Sequence, residues 1–264
     1  MKIYIGVISH KHSKLINELK CLEKLCNHFD IIIKSNISGD SFPTMQGTPN
    51  FHWINDSYYC GFGHNNNIIY NYCYNNLNMK DEDYFIILNP DVIIDYKTIL
   101  SLINTMTHNN DSIATINLFK DINNHVYDNS IRKFPSLSDF VQSFLGFNNP
   151  SILNKSLLKD PCFVDWAAGS FLVIKGGHYR NLRGFDESYF MYCEDIDICY
   201  RSSRYLNTPV KYYPDFHALH LAKHANRKFL SKHFYWHISS VIRFLLTKGG
   251  LTKTKSSITN KISF

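Results

Sequence analysis

Tyr84-Phe85-Ile86-Ile87-Leu88-Asn89-Pro90-Asp91 decides how this 264-residue chain folds. Five apolar residues, mostly aromatic or β-branched, read as a strand. Pro90 has no N–H to give a ladder, so the strand stops there and Asp91 stands at its carboxyl end. In an open α/β sheet that edge is where ligands bind.

On the N-terminal side, Ile3-Tyr4-Ile5-Gly6-Val7-Ile8 reads as a buried first strand. From Ser13 to Phe29, the residues Leu15, Leu19, Leu22, Leu25 and Phe29 fall at the spacing of one helix face, and Ile31-Ile32-Ile33 is a second strand. This is the β-α-β opening of a parallel α/β sheet. Residues 35–50 read as loop, and Gly61-Phe62-Gly63 turns the chain into a helix expected from about Asn66 to Asn76. On the C-terminal side, 97–108 reads as helix and 112–119 as strand. Residues 120–160 are polar and poorly periodic, a substrate-facing or mobile segment. Phe163 to Ile174 reads as strand and Glu194 to Tyr205 as helix. No repeat or long linker divides the chain, which predicts one catalytic domain with an appended tail.

A hydrophobic content of 44% is enough to fill a core, so disorder is not the expectation. The seven Cys include no Cys-x-x-Cys pair, which argues against a disulfide framework or a zinc knuckle. The first ten residues lack the pattern of a secretion signal and no window reaches the length of a membrane span, so a cytosolic, reduced protein is expected. After Asp215 there is no Asp or Glu but nine Lys and Arg, while the preceding chain is net acidic. Such asymmetry points to an anionic partner for the tail, a phospholipid surface or nucleic acid. Within the tail, Leu230, Phe234, Ile238, Val241, Ile242 and Leu245 share a helical face flanked by Tyr235 and Trp236. Two readings stand level: a helix packed on the body, or one lying on a membrane.

Three groups of residues carry chemistry. Asp91 is either a turn-capping residue or a carboxylate holding a divalent cation against a diphosphate. Glu194-Asp195-Ile196-Asp197 opens a helix, where the dipole alone accommodates acids; Asp197 with Arg201 has the spacing of an ion pair, whereas Glu194 or Asp195 could serve as a general base. His217, His220 and His224 fit no common zinc spacing, and only Asp91 as companion ligand would make one of them a metal ligand.

Taken in order, these signals resemble the inverting GT-A glycosyltransferases of family two, in their rhamnosyltransferase branch, over roughly residues 3 to 225. Ser35-Asn36-Ile37-Ser38 is similar to the family's Asp-Asn-x-Ser turn, and Gly61-Phe62-Gly63-His64-Asn65-Asn66-Asn67 to its glycine-rich donor segment. Asn89-Pro90-Asp91 resembles a form of the metal-binding Asp-x-Asp motif with one acid retained. Asp165-Trp166-Ala167-Ala168-Gly169-Ser170 resembles the acceptor-side segment, and Gly184-Phe185-Asp186-Glu187 with Glu194-Asp195-Ile196-Asp197 the paired acidic motifs.

The resemblance implies an α/β GT-A fold, a Rossmann-like mixed sheet flanked by helices, with a C-terminal amphipathic helical tail. The domain would span 1–225, a nucleotide-sugar half at 1–91 and an acceptor half at 92–225, and the basic tail 226–264. It assigns Asp195, beside Glu194, to catalysis as the base. Asn36, Ser38, Gly61, Asn66, Asn67 and Asp91 would bind the donor. Trp166, facing the acceptor sugar, would bind it with Gly169, Asp186 and Glu187. Asp91 and His220 would hold a divalent cation, Mg²⁺ or Mn²⁺. The implied reaction moves L-rhamnose from dTDP-L-rhamnose to N-acetylglucosamine on diphospho-undecaprenol, as in O-antigen assembly. The enzyme would be peripheral, on the anionic cytoplasmic face of the bacterial inner membrane. A catalytically silent sugar-binding relative would be expected to lack Asp91 or Asp195, and both are present. A nucleic-acid partner fits poorly with a net acidic body that shows no recognisable binding module.

Overall fold

The computed structural model describes residues 1–123, 126–144, 150–222 and 232–258, leaving aside the side chains at 141, 143, 144 and 232. In chain order the strands are β1 Ile3–Ser9, β2 Asp30–Ser35, β3 Phe51–Ile54, β4 Tyr84–Leu88, β5 Val92–Ile93, β6 Ile113–Phe119, β7 Ile131–Arg132, β8 Cys162–Val164, β9 Trp166–Ala167, β10 Phe171–Lys175 and β11 Val210–His220. The helices are α1 Ser13–Leu19, α2 Cys21–Leu25, α3 Phe62–Asn76, α4 Tyr96–Asn109, α5 Leu137–Phe144, α6 Gly176–Asn181, α7 Glu194–Tyr205 and α8 Lys232–Lys248.

Among the described residues one nine-stranded sheet runs β3-β2-β1-β4-β10-β6-β11-β5, with β8 also on β11. The first four strands are parallel, as the β-α-β opening predicts. Strand β10 runs antiparallel between β4 and β6, which makes the sheet mixed. Strands β1 and β4 are buried along nearly their whole length, the state that continuous apolar runs prescribe. One face is covered by α3, α6, α7 and α8 and the other by α1, α2 and α4.

Four readings change. The helix of residues 13–29 is two helices, because Lys20 takes φ 52° and its N–H closes α1 on Ile16 O. Residues 163–174 are three strands, since β9 leaves the main sheet to pair with β7 and the Gly169-Ser170 turn follows it. Within 120–160 lie β7 and α5. Helix α3 starts at Phe62, with Gly61 as its N-cap.

Of the two readings of the tail helix, packing holds for one side. Val241 and Phe244 are buried in the cluster that includes Tyr189, Ile196 and Ile198, and Leu245 packs against it. The opposite side leaves Tyr235, Ile242 and Leu246 exposed. Leu230, like His224, lies outside the described residues. Among the described residues no helix is long and apolar enough to cross a membrane.

Candidate active site

The carboxyl ends of β1, β2 and β4 meet at Ser9, Ser35 and Asn89. The Asn36 side chain brackets Cys60, its Nδ2 donating to Cys60 O and its Oδ1 accepting Cys60 N–H, both at 2.9 Å. Asn36 and Gly61 are both expected at the donor site, and the structure joins their two segments directly. Ser38 is exposed on the same turn. Asp40 accepts from Ser35 Oγ at 2.8 Å, and Trp53 Nε1 donates to the same hydroxyl at 2.9 Å, so the short Ser35 is tied into the wall. Lys34, a residue the sequence reading passed over, is buried and donates to Ser35 O at 2.8 Å and Asp56 O at 2.5 Å. Burial pushes its pKa below the usual lysine value.

Asn66 and Asn67 are fully buried on α3. Asn66 Nδ2 donates to Phe62 O at 3.1 Å. The Asn67 amide is committed to its own chain. It accepts from Tyr179 Oη at 2.7 Å and Phe185 N at 3.0 Å, and donates to Phe185 O at 2.9 Å and Glu187 Oε1 at 2.8 Å. Asn67 therefore ties α3 to the Gly184–Glu187 turn.

Asp91 and His220 come together across β5 and β11, with His220 Nε2 at 3.4 Å from Asp91 Oδ1. His220 Nδ1 donates to Asp128 Oδ2 at 2.6 Å. Burial disfavours charge on His220, but hydrogen bonds to Asp128 and Asp91 outweigh it and lift the imidazole to about 9. Burial pushes the Asp91 carboxyl up, and the His220 hydrogen bond and charge reverse this, leaving it below its usual range. Asp128 is held low by the same balance. Behind it Lys155 is buried, donates to Ser130 Oγ at 2.8 Å, and is pushed down to about 8 by burial. Asp128 and Lys155 sit in the irregular segment, where no sequence signal marked them.

This pair fits a divalent cation. One hard carboxylate oxygen lies beside an imidazole nitrogen, which a cation would bind by displacing its proton, and the other imidazole nitrogen is fixed by a carboxylate, the usual outer support of a ligating His. Among the described residues no group of three His, Cys, Asp or Glu surrounds one point. Such a cation would complete its shell with phosphate oxygens and water.

Asp195 lies half-buried in the first turn of α7, its Oδ2 accepting the Gly169 N–H at 3.3 Å and its Oδ1 the Ile196 N–H at 2.9 Å. Ser170 O accepts the Asn89 N–H at 3.0 Å, so the Gly169-Ser170 turn joins Asp195 to the Asn89-Pro90-Asp91 turn. Burial raises the Asp195 carboxyl above its usual value. Glu194, 7% exposed, is pushed up further by burial and then by Asp195, and its Oε2 has no hydrogen-bond partner among the described residues. Asp197 and Arg201 form a buried ion pair at 2.7 Å, as their spacing predicts.

Trp166 does not face outward. It is 6% exposed, its indole N–H donates to Lys133 O at 2.9 Å, and the Arg132 guanidinium covers its ring at 5.4 Å. The outer group of this wall is therefore Arg132, which shares a β7–β9 pair with Trp166 and helps hold Asp195 ionised. Asp186 and Glu187 contact the C-terminal segment. Arg243 reaches Asp186 Oδ2 at 2.5 Å, and Ser257 N–H and Oγ donate to Glu187 Oε1 at 2.8 and 2.6 Å.

A mixed sheet with an Asn-Pro-Asp turn at its carboxyl edge, an Asp–His pair beside it and a second buried acidic turn defines a GT-A glycosyltransferase. Known proteins agree with that class. The chain is 40% identical over 253 residues to "Rhamnosyltransferase WbbL" of Escherichia coli, covering 93% of each chain. It is 30% identical over 171 residues to an "N-acetylglucosaminyl-diphospho-decaprenol L-rhamnosyltransferase" of Mycobacterium tuberculosis, covering 62% of this chain and 55% of that one. Among solved structures, S. aureus TarS superposes with a TM-score of 0.55 at 15% identity, covering 93% of this chain and 40% of the other. GalNAc-T7 with UDP, GalNAc and Mn²⁺ gives a TM-score of 0.59 at 9% identity, covering 83% and 44%. No family model matches the chain. The chain belongs to the rhamnosyltransferases of the GT-A glycosyltransferases.

Proposed function

We propose that this glycosyltransferase moves L-rhamnose from dTDP-L-rhamnose to N-acetylglucosamine on diphospho-undecaprenol, with inversion, in O-antigen assembly. The observation that carries the chemistry is the Gly169-Ser170 turn, which ties Asp195 to the Asn-Pro-Asp turn through hydrogen bonds of 3.3 and 3.0 Å. A base and a diphosphate site fixed to one short turn are set for in-line displacement. Asp195 accepts the proton of the acceptor hydroxyl, whose oxygen bonds to the anomeric carbon as the bond from that carbon to the diphosphate oxygen breaks. Asp91 and His220 would hold a divalent cation, which supplies neutralisation of the departing diphosphate's charge. The choice of sugar and acceptor is supported by the names of the relatives and by the anionic character that suits a basic tail.

The outer side of α8 suits contact with an anionic bilayer at the cytoplasmic face of the bacterial inner membrane. Tyr235, Ile242, Leu246 and Leu251 are exposed apolar groups, and Lys248, Lys253 and Lys255 are exposed beside them. The test of the reaction is incubation of the protein with dTDP-L-rhamnose and a short-chain N-acetylglucosaminyl diphospholipid, read by mass spectrometry. Addition of one deoxyhexose supports the assignment. Transfer from UDP-sugars but not from dTDP-L-rhamnose would overturn the donor, and transfer only to acceptors lacking the diphosphate would overturn the acceptor.

A further inference from the structure

Asp186 and Glu187 follow the Gly184-Phe185 turn, and both carboxylates are engaged by the chain's own C-terminal segment. Asp186 is 2% exposed; its Oδ2 accepts Arg243 Nε at 3.0 Å and a terminal guanidinium nitrogen at 2.5 Å, and its Oδ1 accepts the Lys255 N–H at 3.1 Å. Glu187 N–H donates to Lys255 O at 2.8 Å, while its Oε1 takes both Ser257 donors and Asn67 Nδ2. Ile258 is buried against the Gly184 turn. Residues 252–258 thus lie along the turn as a strap.

What the strap holds leads into the site. The same loop continues to Phe190, whose carbonyl accepts the Phe62 N–H at 3.1 Å. A Cβ at Gly61 would stand 2.5 Å from that oxygen, so the loop touches the donor segment with no room between. The Phe62 ring in turn rests on Gly169, where a Cβ would lie 2.8 Å away, and Gly169 N–H meets Asp195. Two guanidinium nitrogens of Arg243 converge on one Asp186 oxygen while backbone N–H groups hold the other, and a buried carboxylate deprived of its partner is strongly disfavoured.

We propose that the strap is part of the catalytic apparatus, with Arg243 and Ser257 as positioning residues that act through Asp186 and Glu187 to set the Phe190 loop, the Gly61-Phe62 segment and Asp195 against one another. This rests on Asp195 being the base. It replaces direct acceptor binding by Asp186 and Glu187.

The test compares Ser257→Ala, Glu187→Gln, Arg243→Lys and the Ser257→Ala/Glu187→Gln pair in the full chain, below the unfolding temperature of each. The substrates are dTDP-L-rhamnose and the short-chain N-acetylglucosaminyl diphospholipid, with Asp195→Asn as control. Each single variant should lower kcat about ten-fold with acceptor KM within about two-fold of wild type, the mark of misplacement rather than lost contact. The pair should be no worse than its poorer member, because both changes break one link. Arg243→Lys keeps the charge beside Asp186 and so tests the two-nitrogen contact without stranding a buried carboxylate. Unchanged kcat in Ser257→Ala and Arg243→Lys would overturn the proposal and leave the strap a passive anchor. A raised acceptor KM in Glu187→Gln alone, or multiplied effects in the pair, would overturn it in favour of direct acceptor contact. Wild-type turnover in Asp195→Asn would instead reject the base, independently of the strap.

Discussion

Asp195 Oδ2 accepts the backbone N–H of Gly169 at 3.3 Å, and a side chain at Gly169 would collide with the Phe62 ring at 2.8 Å. The carboxylate proposed as the base is therefore held by a peptide whose lack of a side chain leaves room for the Phe62 ring. Gly169→Ala should push Phe62 or the turn aside, costing about 1–3 kcal/mol of stability by overpacking. Transfer should fall by roughly ten- to a hundred-fold, because a small displacement of the base is felt fully in the rate. Thermal unfolding and steady-state kinetics on the same preparation check both. Wild-type kcat in a folded Gly169→Ala protein would show that this hydrogen bond does not aim the base.

The pH dependence follows from burial. Both Asp195 and Glu194 are raised above ordinary carboxylates, and the base must be ionised to work. The acid limb of kcat/KM should thus lie above the usual Asp range, with activity falling as pH drops through it; the apparent value belongs to the pair. Stability should run the opposite way. Raised folded-state values mean the native protein binds more protons than the unfolded chain, so this contribution is present below the unfolded values and is lost as pH rises through the folded ones. Glu194→Gln, which keeps the side chain's size and removes its ionisation, should keep kcat within about three-fold of wild type at neutral pH if Asp195 alone takes the proton. A pH–rate profile with an unperturbed carboxylate limb would contradict this account.

Asp91→Ala removes the carboxylate beside His220 Nε2. Activity should require a higher concentration of Mg²⁺ or Mn²⁺, and dTDP should bind more weakly in titration calorimetry. Full wild-type activity in excess chelator would reject the cation role.

Ile242→Glu with Leu246→Glu changes only exposed positions of α8, so the fold should survive. Sedimentation with anionic vesicles should be lost, whereas wild-type binding should weaken as salt rises. Equal binding by the two proteins would remove the outer face of α8 as the contact.

Much of this was legible because it is local. The β4 run ending in Asn89-Pro90-Asp91, the first two strands and the acidic start of α7 each write their structure in adjacent residues. Asp128 and Lys155 were not legible, because their meaning comes from His220 and Ser130, far away in sequence and reached from a segment with no period. Trp166 beside Gly169 read as a sugar platform, yet a backbone carbonyl at Lys133 and the Arg132 guanidinium close over it. The tail helix carries apolar groups on two sides, and a sequence cannot say which of them the body will take. Val241 and Phe244 went inward, leaving Ile242 and Leu246 outside.

The most direct measurement is rhamnosyl transfer by Asp195→Asn beside dTDP binding by the same protein. The amide keeps the size of the side chain and can still accept the Gly169 N–H through its oxygen, but it cannot take a proton from the acceptor. Transfer should drop by at least about a hundred-fold while the dissociation constant for dTDP stays within about two-fold of wild type. Turnover near the wild-type rate in that variant would contradict the assignment of Asp195 as the base.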